Sequence, residues 1–368
     1  MSPSPFRGRA TRIVIAVIAT TLLALSAGMA NASDAPDDAR ARADAFARAV
    51  GAYTVWRDAL LAVIDPDPDC NSDTASRQWV ASQIAPISPA TLQVIAAFGV
   101  FDWAYFWSLG GDQDASDEYL GIDGEYTREA QRRHRDNRRF WDVPTDDVLL
   151  QGMHGEVIAD DAKMVQLAAF VFQVDTATAQ SIVDLVQAAI EQDPAIDYDH
   201  PIFTLNAFAF TGEIPGLDPI PDKIIIGDGI LESFGAIGLG DAAPDYVHAH
   251  EFAHHVQYEL GVYDGFVASP EATRRTELMA DAFAAYEVSH VLGATFRTKR
   301  LVQAAGAAFT TGDCAFEDDN HHGTPEQRAA AVSWGINRAT ADKPLANAMP
   351  SADLVDLFDA ALPTIIDP

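Results

Sequence analysis

Positive charge is scarce in this chain. Its 24 Lys and Arg residues face 54 Asp and Glu, a formal net charge of −30, and lysine occurs only as Lys163, Lys223, Lys299 and Lys343. A polyanion of this kind is repelled by nucleic acid and by anionic membrane surfaces, so neither is expected as a partner, and the acidity reads as solubility. Long apolar runs are missing beyond about residue 30. Val94 to Leu109 is interrupted by Asp102 and rich in aromatics, which excludes a lipid-facing span there. Cysteine is nearly absent, with only Cys70 and Cys314.

What is present at the N-terminus has the order of a secretory signal. Arg7, Arg9 and Arg12 precede the apolar run Ile13 to Ala30, and small residues end in Ala30-Asn31-Ala32. Cleavage is expected after Ala32, with Gly28-Met29-Ala30 as a second cut. The alternative is an uncleaved membrane anchor, since the run is near the lower spanning limit. Both readings put the remainder outside the cytoplasm. In an oxidising compartment the two cysteines are most simply one disulfide, Cys70 to Cys314. A Cys70 thiolate capping a metal in a latent form is the other reading, and it would leave Cys314 unpaired.

Apolar residues at helical spacing run through Asp38 to Ile64, Pro89 to Leu109, Asp160 to Val174 and Ala177 to Gln192. Trp56, Trp79, Trp103, Trp107 and Trp141 fall in this half and read as core rather than a stacking platform. Acidic loops at Asp65 to Asp73 and Asp112 to Asp123 lack the full calcium-loop pattern and read as solvated. Arg128 to Arg139 reads as the exposed face of a helix that pairs internally. From Pro201 the pattern changes, and Ile202 to Phe210 and Lys223 to Ile226 read as short strands.

The chemistry is concentrated in His250-Glu251-Phe252-Ala253-His254. Between Pro244 and Gly261 the sequence reads as helix, so His250 and His254 project from one face and can grip one ion. Zinc takes imidazole nitrogens readily, and a catalytic site needs three protein ligands with a position left for water. Glu251 is placed to accept a proton from that water as it attacks a carbonyl, the role of general base. After His255, the run Val256 to Tyr263 lacks the further histidine that a metzincin requires, which excludes that class. A second helix, opened by Ser269 and Pro270, carries Glu277 and Asp281 on one face. Glu277 is expected as the third ligand. Asp281 is expected to accept a hydrogen bond from the outer ring N–H of a ligating histidine. A solvated face paired with Arg274 and Arg275 is the plainer reading of these two acids. His248 and His255 face elsewhere on their helix and read as polar or packing residues.

Three motifs in order, His250 to Gln257, Glu277-Leu278-Met279-Ala280-Asp281 and His322-Gly323-Thr324-Pro325-Glu326-Gln327-Arg328, resemble those of the bacterial neutral zinc metallopeptidases. Asn206 to Phe210 and Ile224 to Leu231 look like the strand region of the related gluzincins. The resemblance covers roughly residues 200 to 340. It implies zinc on His250, His254 and Glu277, catalysis by Glu251, and a substrate chain antiparallel to an edge strand near Ile224 to Gly227. In the third motif, Thr324, Pro325 and Gln327 have a structural reason as cap, first-turn proline and capping-box residue. His322, expected as a catalytic residue, and Arg328, expected behind the ligands with Asp281, are also candidates for stabilising an oxyanion beside the zinc.

The sequence therefore leads us to expect an α+β, mostly helical protein: a signal over 1–32, a helical region of unassigned role over 33–200, and a gluzincin-like domain with a small sheet over 201–368. One Zn2+ per chain, a peptide or protein substrate and no membrane contact after signal cleavage complete the expectation. The rival is an extracytoplasmic zinc-binding protein without turnover.

Overall fold

The computed structural model describes residues 42, 74–111, 119–212, 220–342 and 347–367. The signal segment, nearly all of Asp38 to Ile64, Trp56, the loop Asp65 to Asp73 with Cys70, and most of Asp112 to Asp123 lie outside these residues.

The described chain is mostly helical with one small sheet, so the broad fold class is as expected. Helix α1 (Ala75–Ile84) starts where the Thr74 hydroxyl accepts the Arg77 N–H, and α2 (Pro89–Ala97) starts on Ser88 in the same way. The helical run expected over Pro89 to Leu109 is broken. Gly99 takes a left-handed φ of 60°, a 3-10 turn follows at Val100–Asp102, and α3 (Trp103–Gly110) resumes at a new angle. The break lets both apolar faces enter the core, where Ile95, Trp103, Phe106 and Leu109 are buried. Trp141 is buried too, and Trp79 and Trp107 pack against the core.

Helix α4 (Thr127–Phe140) corrects the reading of the basic run as a wholly exposed face. Arg128, Arg132, Arg135 and Arg139 are exposed, but Arg133, His134 and Asn137 are buried. The reason is that α4 packs along the later metal-motif helix, where Arg133 finds two buried carboxylates.

Strand β1 (Leu149–Met153) has no strong alternation and was not anticipated. Helices α5 (Asp161–Phe172) and α6 (Thr176–Glu191) follow, each capped by an aspartate, Asp160 and Asp175. Of the stretch Ile202 to Phe210, only β2 (Ala207–Phe210) is a strand, because Pro201–Phe203 forms a 3-10 turn. Strand β3 (Lys223–Gly227) is buried throughout and lies between the other two, parallel to β1 and antiparallel to β2. That overturns the edge-strand role expected near Ile224 to Gly227. Both sides of β3 are already hydrogen bonded, so the outer edge belongs to β2.

Beyond the sheet come α7 (Asp228–Ala236), α8 (Ala243–Glu259), α9 (Pro270–Ser289), α10 (Thr298–Thr310), α11 (Pro325–Asp342) and α12 (Ser351–Ile365). Helix α9 is the spine of this half, packed on α8 and α11. Leu278, Met279, Phe283, Tyr286 and Val288 are fully buried along it, each contributing roughly 1.5–3 kcal/mol. Its alanines let α11 come close. A Cβ at Gly335 would lie 2.1 Å from the Ala282 carbonyl oxygen, so only glycine permits this approach. Among the described residues no single helix is long and apolar enough to cross a membrane.

Candidate metal centre

Two helices bring the three predicted ligands together. Helix α8, with Pro244 in its first turn, presents His250 and His254 one turn apart. Helix α9, capped by the Ser269 hydroxyl on the Ala272 N–H, presents Glu277 opposite them. The Glu277 carboxylate lies 3.2 Å from His250 Nε2 through Oε2 and 3.4 Å from His254 Nε2 through Oε1. One ligand atom from each of the three lies within 4.8 Å of the others, and among the described residues they are the one group of this kind. Two imidazole nitrogens and a carboxylate oxygen are a donor set suited to zinc. The histidines also fit in orientation, since their Nδ1 atoms are engaged elsewhere and their Nε2 atoms face Glu277.

Asp281 stands where the sequence placed it. Its Oδ1 is 2.9 Å from His250 Nδ1. The same oxygen accepts from the Tyr246 hydroxyl at 2.7 Å, and Arg328 grips both oxygens, Nε to Oδ2 at 2.7 Å and Nη2 to Oδ1 at 2.9 Å. Arg328 thus stands behind Asp281, as expected, and its candidacy as an oxyanion donor is corrected: a buried guanidinium in a two-toothed pair holds the acid rather than the substrate.

Burial works against charge at His250, Glu277, Asp281 and Glu251, and the partners decide the outcome. Hydrogen bonds to Asp281 and Glu277 overcome burial and raise the His250 imidazole well above its ordinary value. Burial also opposes the Glu277 charge, but His322, His254 and His250 hold it well below the usual carboxylate range. Arg328 and His250 do the same for Asp281 against its burial. Glu251 differs: burial raises its carboxyl, and the nearby His250 and His254 pull only partly the other way.

Glu251 and His322 open onto the same cleft as the three ligand candidates, a cavity of about 190 Å3. Its other wall is apolar, formed by Ala207 and Phe208 of β2, Ile230 and Phe234 of α7, and Ala307 of α10. His322 Nε2 is 4.0 Å from Glu277 Oε1. Its loop is organised by Asp313, which accepts the backbone N–H of His322 at 2.7 Å and of Ala315 at 2.9 Å, and which also bonds the His321 ring. Thr324 and Gln327 form the expected reciprocal cap that starts α11, at 3.1 and 3.3 Å.

His248 and His255 face away from the cleft, as expected. His248 Nε2 meets His134 Nδ1 at 3.1 Å, and His255 Nε2 donates to the Lys223 carbonyl at 2.9 Å. The acids' plainer reading, a solvated face paired with arginines, is not what the structure holds: Asp281 is fully buried, and Arg275 pairs with Asp359 instead. Cys314 lies in the same loop as His322, while Cys70 lies outside the described residues. The chain after Cys70 does enter beside this loop, where Thr74 and Ser76 hydrogen bond to Thr310.

Sequence reasoning missed Tyr246, Gln257, Tyr263 and Asp313. Asp313 had a local signal, an aspartate two residues before the N–H it caps. The others had none, because Tyr246 and Gln257 on a buried helix are also ordinary core and Tyr263 lies in the turn that follows α8.

No protein-family model, curated protein or solved structure matches this chain.

Proposed function

We propose that this chain is an extracytoplasmic zinc-dependent peptidase of the gluzincin type, allied to the bacterial neutral zinc metallopeptidases. The observation that carries the reading is the convergence of His250, His254 and Glu277 in one cleft with Glu251 beside them. The motif order and the leader-like residues 1–32 support the family and the location.

His250, His254 and Glu277 would hold the ion. When bound, zinc supplies a Lewis acid that polarises the scissile carbonyl and acidifies a water. Glu251 accepts one proton from that water as its oxygen bonds to the carbonyl carbon, and returns the proton to the amine nitrogen as the C–N bond breaks. A buried carboxylate with a raised proton affinity suits both halves of that exchange. His322 donates toward the oxyanion from across the cleft, with Asp313 behind it. The substrate backbone adds to the outer edge of β2, whose residues line the cavity.

The test is metal analysis combined with cleavage of a broad peptide library by wild type and Glu251→Gln. Stoichiometric zinc in both and cleavage only by wild type is the expected result. Zinc without cleavage by wild type would favour the rival, a binding protein without turnover.

A further inference from the structure

Helix α8 carries a second fully buried polar side chain one turn beyond the second histidine, at Gln257. Its amide orientation is set by its neighbours. Gln257 Nε2 donates to the Thr276 carbonyl at 2.8 Å, so Oε1 is the atom that faces His254 Nδ1 at 3.2 Å. Oε1 carries no hydrogen. The proton between the two groups therefore belongs to His254 Nδ1, and the Tyr263 hydroxyl, also 3.2 Å from that nitrogen, lies beside the same bond. With Nδ1 protonated, a neutral His254 keeps its lone pair on Nε2, aimed at Glu277 Oε1 3.4 Å away.

The other half of the amide acts on the opposite helix. Thr276 is the residue before Glu277, so the bond from Gln257 Nε2 ties α8 to the turn of α9 that presents the third ligand. One side chain thereby fixes both the tautomer of His254 and its spacing from Glu277. His250 is served differently, by a charged acid that Arg328 and Tyr246 hold in place.

We propose that Gln257 is a positioning residue of the metal centre: its amide oxygen keeps His254 in the form that can bind an ion through Nε2, and its amide nitrogen sets the distance to Glu277. This rests on the zinc reading above. Gln257 reaches no substrate, so its effect is on metal affinity and ligand geometry.

The experiment is competitive zinc titration, with the visible absorption of the cobalt-substituted protein, on wild type, Gln257→Met, Gln257→Glu and Tyr263→Phe. Gln257→Met removes both halves of the amide and should weaken zinc about 10- to 100-fold and alter the cobalt spectrum. Gln257→Glu keeps an oxygen for Nδ1–H but loses the bond to Thr276 and turns an oxygen toward that carbonyl, so it should recover only part of that affinity and lose less than about tenfold. Tyr263→Phe should change it by less than about threefold, since Gln257 still accepts the proton. Wild-type affinity and an unchanged cobalt spectrum in Gln257→Met would overturn the proposal, as would equal losses in Met and Glu variants, the mark of a merely structural role. Should Gln257→Met not fold, wild-type and Gln257→Glu affinities decide: a 10-fold or greater loss in Gln257→Glu overturns it. Failure of wild type to bind zinc or cobalt would instead bring down the metal reading on which it depends.

Discussion

Two buried polar clusters sit on the same pair of helices, and they are built to different standards. At the cleft, Asp281 is held by Arg328, Tyr246 and His250 through hydrogen bonds of 2.7–2.9 Å. At the far end of α9, Arg133 Nε is 3.4 Å from Asp245 Oδ1 and its Nη1 is 3.7 Å from Glu287 Oε1, with neither nitrogen in hydrogen-bond geometry. Both clusters are sealed from water. The first orients His250, a proposed ligand, through short bonds; the Arg133 side of the second only balances charge. Burial shows the consequence at Glu287, whose carboxyl is pushed up to about 7 in spite of Arg133. Asp245 does keep one short bond, its Oδ2 2.5 Å from Arg300 Nη2, so the contrast lies at Arg133 and Glu287, and burial of charge alone does not separate the two clusters.

The largest effect should come from the chemistry itself. Glu251→Gln is expected to lower peptide cleavage by about 10²–10⁴-fold while zinc content stays stoichiometric, checked by turnover assays beside metal analysis. His250→Ala should instead lose the metal, and cleavage with it; zinc retained at wild-type affinity would remove His250 from the site.

Breaking the tight cluster should cost more stability than loosening the slack one. Asp281→Ala strands Arg328 in the interior and is expected to destabilise by about 3–5 kcal/mol in urea unfolding. A loss under 1 kcal/mol would mean that the clamp is not holding a buried charge.

At the slack cluster the sign depends on pH. Glu287 has a folded-state value raised from 4.5 to about 7, so its contribution to stability is present below about pH 4.5 and is lost as pH rises through about 7. Glu287→Gln does not titrate. Its stability relative to wild type should therefore climb by on the order of 1–3 kcal/mol between pH 4.5 and 8, measured by unfolding at each pH. A flat difference would show that Glu287 ionises normally.

At His322 the expected effect falls on turnover rather than on the metal. Substitution by alanine leaves the three ligand candidates in place, so zinc affinity should change by less than about tenfold while turnover falls by about 10²–10³. Equal falls in both would make it part of the ion's own shell.

The same contrast explains what could be read from the residues beforehand. His250, Glu251, His254, Glu277 and Asp281 were legible because helical spacing fixes which residues share a face, and the chemistry needs those types at those offsets. Their relation across two helices needed only the assumption that both faces meet. The role of Arg328 was half legible: its proximity followed from the third motif, but its commitment to Asp281 depends on the close approach of α11 at Gly335. Strand β1 was invisible because Leu149-Leu150-Gln151-Gly152-Met153 has no period-two pattern, and its pairing with β3 is a long-range event. For the same reason β3 could be read as a strand but not as the central one. The depth of Arg133 was equally hidden, since an arginine in a basic run is ordinarily solvated, and only Asp245 and Glu287, far away in sequence, bring it inward.

The central claim is that the cluster on α8 and α9 binds zinc for hydrolysis by way of Glu251. Peptide-library cleavage by zinc-loaded wild type and zinc-loaded Glu251→Gln, measured side by side, tests it most directly. The account predicts cleavage by wild type alone with equal metal in both; equal cleavage by the two proteins, or none by either, would contradict it.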